Sequence, residues 1–190
     1  MKTKTKVLIV IGIVLLLVGF WFFGTRNSLV SLKEDVEMQQ SQIETTLQRR
    51  NDLIPNLVAT VKGYATHEKE VFTEIAEARA KLAGSIKSND LNNMDEANDG
   101  LNSALGRLLA ISENYPDLKA NQNFLELQAQ LEGTENRIAV ARKDFNNAVK
   151  TFNTAVRRFP ANILASLFGF EAKAYLQSQD NANQAPQISF

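Results

Sequence analysis

The side chains with the most capacity for chemistry fall in two stretches. Residues 49–57 read RRNDLIPNL, two arginines, an asparagine and an aspartate running straight into Leu53-Ile54-Pro55. Farther along, Glu135, Arg142, Asn146 and Asn153 follow one another at steps of seven, four and seven, which keeps them on one side of a helix. Arg50, Asn51, Asp52, Asn56, Glu135, Arg142 and Asn146 are therefore the candidate polar network or partner site. Buried polar groups must find partners, and such networks can fix the register of packed helices. We read the set first as a structural network and second as a site for an extracytoplasmic peptide, lipid or small ligand.

Other chemistries lack their residues. His67, in ATHEKE, is the single histidine. A helical HExxH zinc site needs a second histidine at position 71, which is Val71. A di-iron bundle needs two Glu-x-x-His pairs, and Glu70 follows His67 instead of preceding it. Glu68, Glu70, Glu74 and Glu77 interleave with Lys69, Arg79 and Lys81 and read as a solvated helix face; acid–base work would need a pocket and opposed pKa values. With no cysteine there is no disulfide, thiolate metal site or cysteine nucleophile. No Gly-rich phosphate loop or G-x-S-x-G elbow occurs. The expectation is a non-enzymatic protein with no catalytic residue, cofactor or metal; a metal-dependent hydrolase is the weakest alternative. The 21 basic and 21 acidic side chains balance, which removes the electrostatic case for nucleic acid.

The elements that must position these residues begin with an apolar run. Val7 to Phe23 reads VLIVIGIVLLLVGFWFF without a charge; as a helix it covers roughly 25 Å, the short end for a bilayer core. Trp21, Phe22 and Phe23 stand where aromatic residues favour an interface. A cleaved signal peptide would look similar, but bulky aromatics occupy the place of a small-x-small cleavage motif. Residues 1–6 form a basic flank and 7–23 a membrane anchor in contact with the lipid bilayer. The positive-inside rule then puts the N-terminus in the cytoplasm and the rest of a single-pass protein outside it.

Beyond the anchor the apolar pattern is helical. Leu29, Leu32, Val36, Ile43 and Leu47 lead into Ile54, Leu57, Val61, Ala65, Glu68, Phe72, Ile75 and Leu82 at steps of three, four or seven. Residues 84–100, rich in Asn, Asp, Ser and Gly, hold a connection and a helix start. Met94, Ala97, Leu101, Ala104, Leu108 and Ile111 form a second stripe that ends at Tyr115-Pro116-Asp117. The third runs from Leu127 through Leu131, Thr134, Ile138, Ala141, Phe145, Ala148, Phe152 and Val156 to Phe159, with Asn121 as its N-cap and Phe159-Pro160 as its stop. Asn162 caps a last helix over 163–177, whose NILASLFGF either packs across a bundle end or meets lipid or a partner. Residues 178–190 read as a disordered polar tail. Within RRNDLIPNL, either Asp52 caps a helix that starts there, or one long helix kinks at Pro55 with the Asn51 carbonyl left free.

Three blocks, RRNDLIPNLVATVKGYATHEKEVF, YPDLKANQNFLELQAQLEGTENRIAVARKDFNNAVKTFN and FPANILASLFGF, resemble the LemA family of bacterial membrane proteins, over about Asn27 to Tyr175. The resemblance implies an N-terminal transmembrane helix and a four-helix up-and-down bundle, with no settled enzymatic activity and no agreed ligand. Phe145 and Phe152 stand where tyrosine is common in the family, which argues against a catalytic phenol there. The chain is thus expected to be all-α, a single N-terminal transmembrane helix followed by an up-and-down (antiparallel) four-helix bundle at 27–177. The expected function is a membrane-anchored adaptor or scaffold of the bacterial cell envelope, at the cell (plasma) membrane, binding an envelope protein or its own copies.

Overall fold

A chain with four prolines and so much Ala, Leu, Gln and Glu has strong helix formers at nearly every position that packing does not decide. In the computed structural model, which describes residues 3–177, every regular element is a helix: α1 (Thr3–Lys62), α2 (Lys69–Ser88), α3 (Leu91–Ser112), α4 (Pro116–Lys119), α5 (Gln122–Arg157) and α6 (Ala161–Leu167). Part of the basic flank expected at 1–6 and the polar tail expected at 178–190 lie outside the described residues. The chain divides into two units, residues 1–39 with 144–175 and residues 40–143 with 176–190.

α1 is 60 residues long and passes unbroken through Pro55. Its N-terminal part is long and apolar enough to cross a membrane, and none of that part is buried; Leu16 is 77% and Phe20 83% exposed. The later stripes are buried nearly as their spacing predicts. Leu29 and Val36 are enclosed in the first unit; Ile43, Leu47, Ile54, Leu57 and Val61 are enclosed in the second. Leu131, Thr134, Ile138, Ala141, Phe145, Ala148, Phe152 and Val156 are all buried on α5. Phe159, the last residue of that stripe, is 75% exposed.

Three expectations are corrected. Asp52 caps no helix: it lies inside α1, exposed, and accepts a bond from Gln48 Nε2 one turn earlier at 2.8 Å. The apolar stripe through Ala65 and Glu68 does not belong to one helix, because α1 stops at Lys62 and the chain turns before α2. The turn buries Ala65, so the stripe keeps its phase across a break that periodicity alone cannot reveal. The last helix ends at Leu167 instead of running to 177, and Asn162 is not its cap. Gly169 adopts φ 70°, and Phe170 N–H bonds back to Ala165 O at 2.9 Å. This is the Schellman closure that a glycine in the left-handed region permits. From there to Gln177 the chain is non-helical. It is held by Asn153, whose amide donates to Lys173 O and accepts from Lys173 N–H, both at 2.8 Å.

The link between α2 and α3 shows how local chemistry sets topology. Asn89 takes the left-handed conformation at the end of α2. Asp90 then accepts from the N–H groups of Asn92 and Asn93 at 3.0 and 3.2 Å, capping α3. A connection this short makes α2 and α3 antiparallel neighbours; the Lys81–Glu96 and Arg107–Glu74 pairs join them. Asn121 caps α5 through Phe124 N–H at 3.1 Å. Asp90→Ala should lower the stability of the detergent-solubilised chain by about 1 kcal/mol, read by chemical denaturation. An unchanged midpoint would show that packing alone holds the start of α3.

Candidate functional site

The site grows from one turn of α1. Leu47, Ile54 and Leu57 point that face of the helix inward, and Arg50 and Asn51 lie on it at 5% and 3% exposure. A buried guanidinium has five N–H donors and no way to lose its charge, so acceptors must come to it. Arg50 Nη1 donates to Asn98 Oδ1 at 2.9 Å and to the Glu135 carboxylate; Nη2 donates to Asn102 Oδ1. Asn98 and Asn102 are one turn apart on α3, and Glu135 is on α5. Burial pushes the Arg50 pKa below its ordinary value, and the charge and hydrogen bond of Glu135 oppose that shift. Arg50 stays cationic, and Glu135 is its counter-charge.

Beside it, Pro55 raises a backbone problem. Proline has no N–H, so the carbonyl four residues back, that of Asn51, loses its helical donor. Arg79 of α2 supplies the replacement: its Nε donates to Asn51 O at 3.2 Å. The helix therefore continues through the proline because a neighbouring helix satisfies the orphaned carbonyl. Two buried polar atoms stay without a hydrogen-bond partner among the described residues, Arg50 Nε and Asn51 Oδ1.

The other expected residues divide. Arg142 takes a different partner, donating to Asp95 of α3 and, at 2.7 Å, to the Gln177 carbonyl; burial lowers its pKa as well. Asp52 and Asn56 are exposed on α1, and Asn146 is half-buried in the unit of residues 144–175. The structure thus joins Arg50 to Glu135 and leaves Asp52 and Asn56 at the surface. Sequence reasoning missed Asn98, Asn102, Asp95 and Arg79. Their signal was present: Asp95, Asn98 and Asn102 step by three and four next to the Met94, Ala97, Leu101 stripe. His67 sits exposed in the turn before α2. Among the described residues no three His, Cys, Asp or Glu side chains gather as a metal site would need.

Among the described residues every regular element is helical and one apolar segment is long enough to cross a membrane, the make-up of a membrane-associated helical protein. The sequence model of the LemA family matches residues 39–190, and the chain belongs to that family. It is 28% identical over 186 residues to the magnetosome protein MamQ 2 of Paramagnetospirillum magneticum, covering 86% of this chain and 68% of that one. It is 28% identical over 188 residues to the magnetosome protein MamQ of Magnetospirillum gryphiswaldense, covering 85% and 69%. It is also 24% identical over 169 residues to the protein LemA of Metamycoplasma hominis, covering 87% and 76%.

Two predictions follow from this geometry. Arg50→Ala, which leaves the carboxylate and both amides without their donor, should cost about 3–5 kcal/mol. Arg50→Lys, which keeps the charge but loses the fork, should recover only part of that. Denaturation of the full chain in detergent measures both, and equal stability of all three proteins would remove the network from the core. Arg79→Met should cost about 1–2 kcal/mol by leaving the Asn51 carbonyl unpaired. In a Pro55→Ala background, where the helix supplies its own donor, that cost should shrink; a double-mutant cycle with no coupling would disprove the substitution of side chain for backbone.

Proposed function

We propose that the protein is a membrane-anchored, non-enzymatic adaptor or scaffold of the bacterial cell envelope. In this reading residues 7–23 cross the bilayer once, the N-terminus is cytoplasmic, and residues 27–177 form an up-and-down four-helix bundle on the other side. The observation that carries it is the closure of the Arg50 cluster. Both Nη atoms point at acceptors of the protein's own α3 and α5, an arrangement that fastens helices and presents no reactive group. The partner is an envelope protein or a second copy, bound through helix faces.

A second reading, a binding module for an extracytoplasmic peptide, lipid or small ligand, is favoured by one feature. A cavity of about 210 Å³ opens beside Arg50, Asn102 and Glu135, with Leu57, Leu105 and Leu131 among its apolar walls. Gly106 also lines it, and a Cβ there would meet nothing within 4 Å. Affinity purification with crosslinking from detergent-solubilised native membranes separates the two. An adaptor yields a repeatable partner or an oligomer ladder that survives Gly106→Leu. A binding module loses its ligand in that variant, and a monomer with no partner in either protein would sink the adaptor.

A further inference from the structure

A groove of about 940 Å³ lies in the unit of residues 1–39 and 144–175. One wall is α1 from Phe20 and Trp21 to Leu32; the other is α5 with Lys150, continuing past the helix end into Arg158 and Phe159. Its apolar end therefore starts inside the segment that lipid would surround. The charged side chains that line it, Lys150 and Arg158, are both basic. The chain just beyond is fastened at the same level. The Phe168 ring meets Phe22 edge-on at 5.5 Å between centroids, and the Arg26 guanidinium lies 5.4 Å from its centre. Next to that fastening, Phe159, Ile163 and Leu167 are 75%, 59% and 70% exposed. Apolar side chains this bare, in one short segment, need a medium other than water.

We propose that this groove binds the head of an anionic phospholipid at the bilayer surface. Arg158 takes the phosphodiester, which matches its planar pair of donors, and Lys150 adds attraction from farther along α5. The glycerol and upper acyl carbons lie on Phe20, Trp21 and Phe159, while Ile163 and Leu167 sit in the same leaflet, as an interfacial segment does. Lipid is the occupant because the groove is continuous with the span: a lipid beside Trp21 already lies at its mouth. Anionic lipid is selected because two cations and no carboxylate line the walls. The proposal rests on the membrane-anchored reading above.

The test uses the full chain in vesicles of phosphatidylcholine, alone or mixed equally with phosphatidylglycerol. Resistance to alkaline carbonate extraction checks the anchor by itself, and release into the supernatant would end both readings. The chain has no cysteine, so Leu167→Cys carries a single environment-sensitive fluorophore, with Glu34→Cys, exposed on α1 and roughly 16 Å along the helix from Phe23, as the water-exposed reference. Brominated lipid should quench the label at 167 and leave the label at 34 bright. Equal quenching in protein that resists extraction overturns the interfacial placement and leaves the anchor standing. Native mass spectrometry of the detergent-extracted protein should find phosphatidylglycerol retained over phosphatidylcholine, with the preference reduced roughly tenfold or more in Lys150→Ala/Arg158→Ala. Both residues are exposed, so the melting temperature should not move. An unchanged preference in the double variant overturns the groove as the headgroup site. Abolition of the preference by added inorganic phosphate, at matched ionic strength, would assign the cations to free phosphate and overturn the lipid.

Discussion

A single positive charge, that of Arg50, is held inside the unit of residues 40–143 by groups that three helices bring together. α1 contributes the guanidinium, α3 two amide oxygens and α5 a carboxylate. Apolar stripes alone specify packing loosely. Leucine and alanine recurring every three or four residues fit a neighbour almost as well after a slip of one turn, since hydrophobic attraction has no direction. The guanidinium does not allow that slip. Moving α3 by one turn in either direction would keep one amide oxygen near the guanidinium but bring Met94 or Gly106 to the other position, against a charge that cannot be neutralised. The register of the apolar contacts around Leu47, Ile54, Leu101 and Leu131 thus follows from a polar contact in their midst.

Elsewhere along the chain, local devices close the helix ends and turns. Asn89 and Asp90 reverse the chain in two residues by pairing a left-handed cap with an N-cap. Asn121 starts α5, and Gly169 ends α6. Asn153 then binds the backbone of Lys173 on both sides, giving a non-helical strand of chain the paired N–H and carbonyl that it would otherwise lack. Each device satisfies backbone groups at a point where helical bonding stops.

Much of this was legible in the sequence, for reasons that differ by residue. The stripes were readable because burial on a helix depends on spacing, and spacing is local. The Asn121 cap was readable because an N-cap acts within three residues of itself. The partner of Arg50 was not, because the choice among Glu135, solvent and the Asn-rich stretch depends on which helix faces which. Residues 84–100 read as a connection and a helix start, but composition does not show that Asn98, with Asn102 just beyond, lies on an inward face of α3, where their amides serve a charge from another helix. The break between α1 and α2 escaped because Ala65 and Phe72 keep the apolar phase through it. Gly169 carried a termination signal in plain view, but the apolar residues on either side outweighed it.

The continuity of α1 at Pro55 has a consequence for how the chain comes to be ordered. Helical turns normally close on themselves, so a segment can flicker into shape before it meets the rest of the molecule. At Asn51 that autonomy is missing, because the donor that completes the turn belongs to α2, 28 residues away in sequence. Secondary structure at this point is a product of tertiary contact and not its precursor. The C-terminal part of α1 is therefore completed only together with α2, and the two helices share one cooperative fate at the turn that also carries the buried charge.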